Sequence, residues 1–316
     1  MVQAFEKAVP YIRLENRMRP AEVPAAAPAP ILVTGATGTV GRHVVDELLG
    51  AGVPVRAAVT PPSRGVVLAR HPGVDPGVLT EVVLDLTDPA TWADAFAGVE
   101  RMFLLRPPHL ARPRRQMVPA LEHALGAGVR RIAFLSIQGA ERNPVVPHHV
   151  LERWLVRSGV EWTMLRAAYF MQNLATTHRD DVRRGEIVVP AGRARTALVD
   201  ARDVAAMAAR VLVEEGHGGR AYTPTSREAL RYDECAHVLS DVLGREVRYT
   251  RPGAVRYLRH AVAQGMRPGM AGVTLGIYGA ARLGLARGLT DDVASVLGRE
   301  SIGLRRFAED HVAVWR

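Results

Sequence analysis

A doubly wound α/β fold, in which a parallel sheet is covered by helices on both faces, is predicted by three features of the sequence. Short apolar strands alternate with helices of about ten residues, a glycine-spaced turn joins the first strand to the first helix, and the alternation continues to Arg166 before it becomes irregular. The strands read as Ile31 to Val33, Val53 to Val59, Glu81 to Leu84, Arg101 to Leu105, Arg131 to Leu135 and Trp162 to Leu165. Helices are expected at Thr39 to Leu49, Pro89 to Ala97, Arg114 to Leu125 and Pro147 to Arg157. Beyond Arg166 the pattern gives a strand at Glu186 to Val189, helices at Asp203 to Val213 and Leu230 to Leu243, a strand at Glu246 to Tyr249, and a Gly-rich tail from Arg251.

Three segments follow. Residues 1–29 are an N-terminal extension ending in a Pro- and Ala-rich linker, residues 30–166 a dinucleotide-binding domain, and residues 167–316 a smaller α+β lobe that binds substrate and interleaves with the first domain.

Composition is that of a globular protein, 48% hydrophobic and 23% charged. The formal charge is +9, and Lys7 is the sole lysine among 41 basic residues. Arginine scattered this way reflects coding bias more than a nucleic-acid surface, which would concentrate charge on one face. One stretch is uneven: Arg251 to Arg287 holds six arginines and no acid. It reads as a solvated or substrate-side surface, with an anionic partner as the alternative. The lone Cys235 excludes an internal disulfide and a cysteine-rich metal site, and its helical setting suggests a small core residue. With no apolar leader in residues 1–19 and no span of membrane length, the expectation is a cytoplasmic protein without metal, nucleic-acid or membrane partner, acting on a small molecule, with a homodimer as a further option.

The first strand runs into Thr34-Gly35-Ala36-Thr37-Gly38-Thr39-Val40-Gly41-Arg42 and then a helix. In this spacing Gly35 makes the tight turn, Gly38 admits a pyrophosphate, and Gly41 lets the helix pack closely. Free N–H groups at the helix start favour phosphate, so Gly35, Thr37, Gly38, Thr39, Val40 and Gly41 form the expected cradle. The second strand ends without an acid and leads to Ser63 and Arg64, which favours NADP(H) over NAD(H). Asp85 and Leu86 would border the adenine, and Arg106 the nicotinamide ribose.

Short-chain dehydrogenases with such a turn use a Tyr four residues before a Lys, with a Ser on the fifth strand, as a proton relay. Ser136 stands at the serine's place, but the seven tyrosines (11, 169, 222, 232, 249, 257 and 278) have no lysine to pair with, so the relay is impossible. At the corresponding helix the sequence has His148 and Glu152, four apart and on one face, where a carboxylate would raise the imidazole pKa and make His148 a proton donor. A structural histidine is the alternative reading. His149 would point about 100° away, outward.

Thr34 to Arg42, Asp85 to Pro89, Ser158 to Arg166, Phe170 to Leu174, Val199 to Ala205 and Gly219 to Tyr222 together resemble the NmrA-like branch of atypical short-chain dehydrogenases, over about residues 30–250. The helix of His148 and Glu152 and the stretch to Asn173 are most similar to its bacterial NAD(P)H:quinone oxidoreductase subgroup. The resemblance implies a Rossmann domain binding NADP(H) and a small C-terminal lobe closing the substrate cleft, with Tyr169, Phe170 and Asn173 at the substrate. It departs at Ala167-Ala168, where the family usually has a proline, and at Thr60, where an arginine is usual. Plant isoflavone and benzylic-ether reductases of this family use a lysine that is absent here.

The main reading is an NAD(P)H-dependent reductase of a quinone, enone or aromatic, polyketide-like compound of secondary metabolism. Such acceptors take hydride without a Tyr-Lys relay. The alternatives are a dinucleotide-sensing regulator without turnover and a non-redox isomerase or rearrangement enzyme on the same fold.

Overall fold

The computed structural model describes residues 28–316; Lys7 and nearly all of the proposed 1–29 extension lie outside the described residues. Seven strands form the central sheet: β1 (Ile31–Val33), β2 (Val55–Val59), β3 (Leu79–Val83), β4 (Arg101–Leu105), β5 (Arg131–Ile137), β6 (Glu161–Ala167) and a last strand, Arg220–Tyr222. Their spatial order is Arg220–Tyr222, β6, β5, β4, β1, β2, β3, and every pairing is parallel. The chain steps outward from β1 to β3, then crosses to β4 on the other side of β1. Ligands of such sheets sit at that reversal, beyond the carboxyl ends of the strands.

The inner strands are buried on both faces, the edge strands β3 and Arg220–Tyr222 less so, and alternation sorts the buried side chains between two cores. Ile31, Val33, Phe103 and Ala133 face the helices Gly41–Gly50 and Ala201–Val213. Leu32, Met102, Leu104 and Phe134 face Val118–Gly126 and Pro147–Arg157. Alanines on Ala201–Val213 let that helix approach the sheet closely; its first turn is capped by Asp200, whose side chain accepts from Arg202 N at 2.9 Å.

A third core, containing Tyr232, Leu239, Tyr257, Tyr278, Phe307 and Trp315, belongs to the C-terminal lobe. Tyr169–Phe170 pairs parallel with Thr196–Val199, which joins the lobe to the end of β6. Cys235 is buried on the helix Tyr232–Leu243, and burial pushes its thiol up to about 12. The tail from Arg251 is more regular than its composition suggests. It holds the helices Ala254–Ala263 and Pro268–Arg282, and burial of Ala271, Tyr278 and Ala281 outweighs the helix cost of Gly272 and Gly276.

Candidate active site

The glycine turn lies at the reversal point. Gly35 has φ +63°, and a Cβ there would strike the Leu105 side chain at the end of β4. At Gly41 a Cβ would strike the Gly35 carbonyl, so this glycine permits the helix to close on the turn itself instead of on the strand. Gly38 N donates to Gly35 O at 2.8 Å. Thr34 Oγ1 ties the turn to β4, donating to Phe103 O at 3.0 Å and accepting from Leu105 N at 2.8 Å. Among the described residues, the N–H groups of Thr37, Thr39, Val40 and Gly41 meet no protein acceptor, and the ten-residue helix that follows has neither an N-capping side chain nor an acid in its first turn. Unpaired donors, the positive helix end and a glycine-lined approach fit a pyrophosphate.

After β2 the chain turns through Pro61–Ser63, leaving Arg64 exposed and Ser63 half-buried. The nearest strand carboxylate, Glu81, accepts from Val67 N at 2.8 Å and Leu68 N at 3.1 Å, so it holds the start of the helix Val66–Arg70. Among the described residues no acid therefore stands where a ribose 2′-hydroxyl would be read, and the residues present fit a 2′-phosphate. Asp85 is exposed, accepting from Thr87 N at 2.8 Å, and Leu86 is buried beside it.

At the ends of β5 and β6 the polar groups pair with one another. Ser136 Oγ donates to Glu152 Oε1 at 2.6 Å, and Arg166 grips the same carboxylate with Nε at 3.0 Å and Nη2 at 2.8 Å. Ser136 and Glu152 are both buried. Ser136 and Arg166 are register partners across β5 and β6, which explains why both reach one carboxylate from the helix Pro147–Arg157. Arg166 is the residue missed as a site member. Its signal would have been that register, which a single sequence does not display.

His148 is on the same helix as Glu152 but has a different neighbour. Arg106 Nε approaches His148 Nε2 at 3.5 Å, while Arg106 Nη1 donates to the carbonyls of Pro107 at 2.9 Å, Pro108 at 3.2 Å and Leu110 at 3.1 Å. Burial, and then the adjacent guanidinium, lower the His148 pKa to about 4. The expected raising by Glu152 is thus reversed, because that carboxylate is committed to Ser136 and Arg166. With Arg106 donating to Nε2, the imidazole proton belongs on Nδ1, which is buried and has no partner among the described residues. His149 is not free either: its Nδ1 meets Ala140 O at 2.9 Å.

Tyr169 and Phe170 follow β6 at the joint between sheet and lobe. The Tyr169 hydroxyl lies 2.7 Å from Tyr278 Oη and 3.4 Å from His178 Nε2. Burial pushes its phenol up to about 12, the opposite of the lysine-lowered tyrosine of a relay. Asn173 is half-buried on the next turn, where its carbonyl accepts from His178 N at 2.8 Å. Beyond His178 the lobe contains a cavity of about 350 Å³ bordered by Asp181, Tyr257 and His260. The structure therefore groups Ser136, Glu152 and Arg166, groups His148 with Arg106, and turns the Tyr169 hydroxyl toward the lobe. No cluster of metal-binding side chains is found among the described residues.

Comparison with known proteins bears on this arrangement. The model of the NmrA-like family matches residues 29–268. An NAD(P)H azoreductase from Xenophilus azovorans is 32% identical over 294 residues, covering 90% of this chain and 99% of the relative. Among solved structures, the NADPH-dependent quinone oxidoreductase of Escherichia coli complexed with NADPH superposes with a TM-score of 0.78 at 26% identity, over 89% of this chain and 99% of that one. The triphenylmethane reductase of Citrobacter sp. complexed with NADP(H) gives 0.75 at 28% identity, over 90% and 99%. On its matched family model, its glycine turn and its sheet order, the chain belongs to the NmrA-like family.

Proposed function

We propose that the protein is an NADPH-dependent reductase of quinones and related electron-poor, dye-like aromatic molecules. The observation that carries this is the contrast within the cleft: phosphate-binding groups are left unpaired, while every candidate proton donor is paired, buried or neutral. When bound, NADPH supplies a hydride from its nicotinamide. The glycine turn holds the pyrophosphate, and Ser63 and Arg64 hold the 2′-phosphate. The interlock of Ser136, Glu152 and Arg166 fixes the ends of β5 and β6 under the reacting ring. Arg106, which has no carboxylate partner among the described residues, places positive charge where an acceptor oxygen gains electrons. Water protonates the product, since a hydroquinone oxygen needs no strong acid. Residues 30–166 serve the cofactor in this reading, and residues 167–316, with Tyr169, Phe170 and Asn173, form the wall of the substrate site.

The relatives named above act on an azo compound, a quinone and a triphenylmethane dye by their names, all conjugated acceptors, and that likeness supports the substrate class. The test is titration with NADPH and NADH followed by cofactor fluorescence, then addition of quinones, azo dyes and triphenylmethane dyes while absorbance of the reduced cofactor is monitored. Oxidation with NADPH is expected. Tight binding with no oxidation by any acceptor would replace this reading by the dinucleotide-sensing one. No helix among the described residues is long and apolar enough to cross a membrane. A cytoplasmic homodimer completes the proposal, with fractionation and sedimentation velocity as its tests.

A further inference from the structure

The acid-free stretch from Arg251 to Arg287 folds into two adjoining helices and an exposed turn whose outer surface is both cationic and apolar. Fifteen large apolar side chains are exposed among the described residues, and eight of them lie between Val255 and Leu289. The helices Ala254–Ala263 and Pro268–Arg282 pack on each other and on the lobe through Tyr257, Ala261, Ala271 and Tyr278. Their outer sides carry Val255 and Val262 seven apart, with Arg259 between, and Met270, Val273 and Ile277 at i, i+3 and i+7. That spacing places each set on one helix face, turned away from the core. The following turn adds Leu283 and Leu285, 80% and 69% exposed. Arg251 pairs with Asp233; among the described residues Arg256, Arg259, Arg267, Arg282 and Arg287 form no ion pair, and all five are exposed.

We propose that this surface docks on an anionic phospholipid bilayer, lying in its interface without crossing it. Charge complementarity selects the occupant. The nearby acids are already engaged, Asp181 by His260 and Arg184 and Asp233 by Arg251, so five guanidiniums without an ion pair among the described residues call for a negatively charged surface, and Leu283, Leu285, Val273 and Ile277 call for apolar depth beneath that charge; an anionic bilayer offers both. A second copy of the chain would set the same cationic face against itself. Residues 1–27 offer no complement, with three acids against four bases in their sequence. A nucleic acid would meet the arginines and leave the leucines in water.

The surface also borders the site. Gln138, just beyond β5, donates to Gly288 O at 2.7 Å, and Ala197 N donates to Ala286 O at 2.7 Å. A lipophilic acceptor dissolved in the bilayer would thus be delivered beside the strand ends, although the docking itself does not depend on the reductase reading.

The experiment is flotation of the whole protein with vesicles of phosphatidylcholine alone, or with about one third phosphatidylglycerol, at low and high salt. Binding at least about tenfold stronger to the anionic vesicles is expected, weakened by salt, and reduced about tenfold by Arg256→Gln with Arg259→Gln. Leu283→Ser with Leu285→Ser should weaken it even at low salt. Circular dichroism and NADPH fluorescence, unchanged in both double variants, report an intact fold. Equal or absent binding to both vesicle types overturns the proposal, as does binding that neither variant alters. So does a dimer in solution that the leucine variant dissociates, since the face would then belong to a second copy.

Discussion

The two ends of the cleft treat their polar groups in opposite ways. At the glycine turn, backbone donors and the Arg64 side chain are left without partners among the described residues. At the ends of β5 and β6, Ser136, Glu152 and Arg166 saturate one another, His148 is held neutral, and the Tyr169 hydroxyl is bound to Tyr278. Hydrogen-bonding capacity left over marks where a ligand is bound; capacity already used marks where the protein is braced. The molecule is thus built to hold a cofactor firmly and to contribute little acid or base. That division suits hydride transfer to an acceptor whose own electron deficiency lowers the barrier.

The largest effect should come from breaking the saturated end. Glu152→Ala leaves Arg166 without its carboxylate and Ser136 without its acceptor, and should cost about 3 kcal/mol in urea denaturation, the lower range for breaking a buried pair, because Arg166 also has Glu141 at 3.5 Å. Glu152→Gln, which keeps the shape and a hydrogen-bond acceptor, should cost less. If both variants were as stable as the parent, the interlock would be available for chemistry and the contrast would fail. The open end is tested next. Gly38→Val, at a position whose Cβ would meet Gly35 O at 3.1 Å, should leave the melting temperature nearly unchanged and weaken NADPH binding by about a hundredfold or more, roughly 2.7 kcal/mol. Retention of binding would overturn the cofactor assignment.

How much of this was legible in the sequence follows the same boundary. The glycine turn was readable because its spacing, its preceding strand and its following helix are all local, and β4 and the helix Pro147–Arg157 were placed to the residue. The electrostatics of His148 were not. Helical spacing put His148 and Glu152 on one face, but which guanidinium each of them meets depends on Arg106, just after β4, and on Arg166 from β6, side chains 42 and 14 residues away in the chain. The helix Pro268–Arg282 was hidden for another reason: its glycines argue against helix locally, and only the burial of Ala271, Tyr278 and Ala281 reverses that preference.

His148 gives the next test. Its folded pKa, about 4, lies below its ordinary 6.5, so between those values the unfolded chain takes up a proton that the folded chain does not. Stability therefore falls as pH drops through that window and is fully present above it. His148→Gln should lose about 2 kcal/mol less than the parent between pH 7 and pH 4, as read by denaturation at each pH. His178, also lowered to about 4 by burial, continues to contribute in both proteins. The kcat profile should be flat from about pH 5 to 8. An acidic limb near 6.5 that disappears in His148→Gln would restore this residue as the proton donor.

The smallest effect concerns the outer edge of the open end. Arg64 is exposed on the turn after β2, and no carboxylate pairs with it among the described residues. A guanidinium and a phosphate in solvent gain less than a buried pair, so Arg64→Ala should raise the KM for NADPH about tenfold, near 1.4 kcal/mol. The KM for NADH should not move, because NADH lacks the 2′-phosphate. Thr60→Asp at the end of the same strand should act from the other side, repelling that phosphate and offering a carboxylate to the ribose hydroxyls. Together the two variants should reverse the preference toward NADH. An equal loss for both cofactors would mean that Arg64 supports the turn Pro61–Ser63 instead of reading the phosphate, and selectivity would have to be sought at Arg42, on the first turn of the helix that follows the glycines.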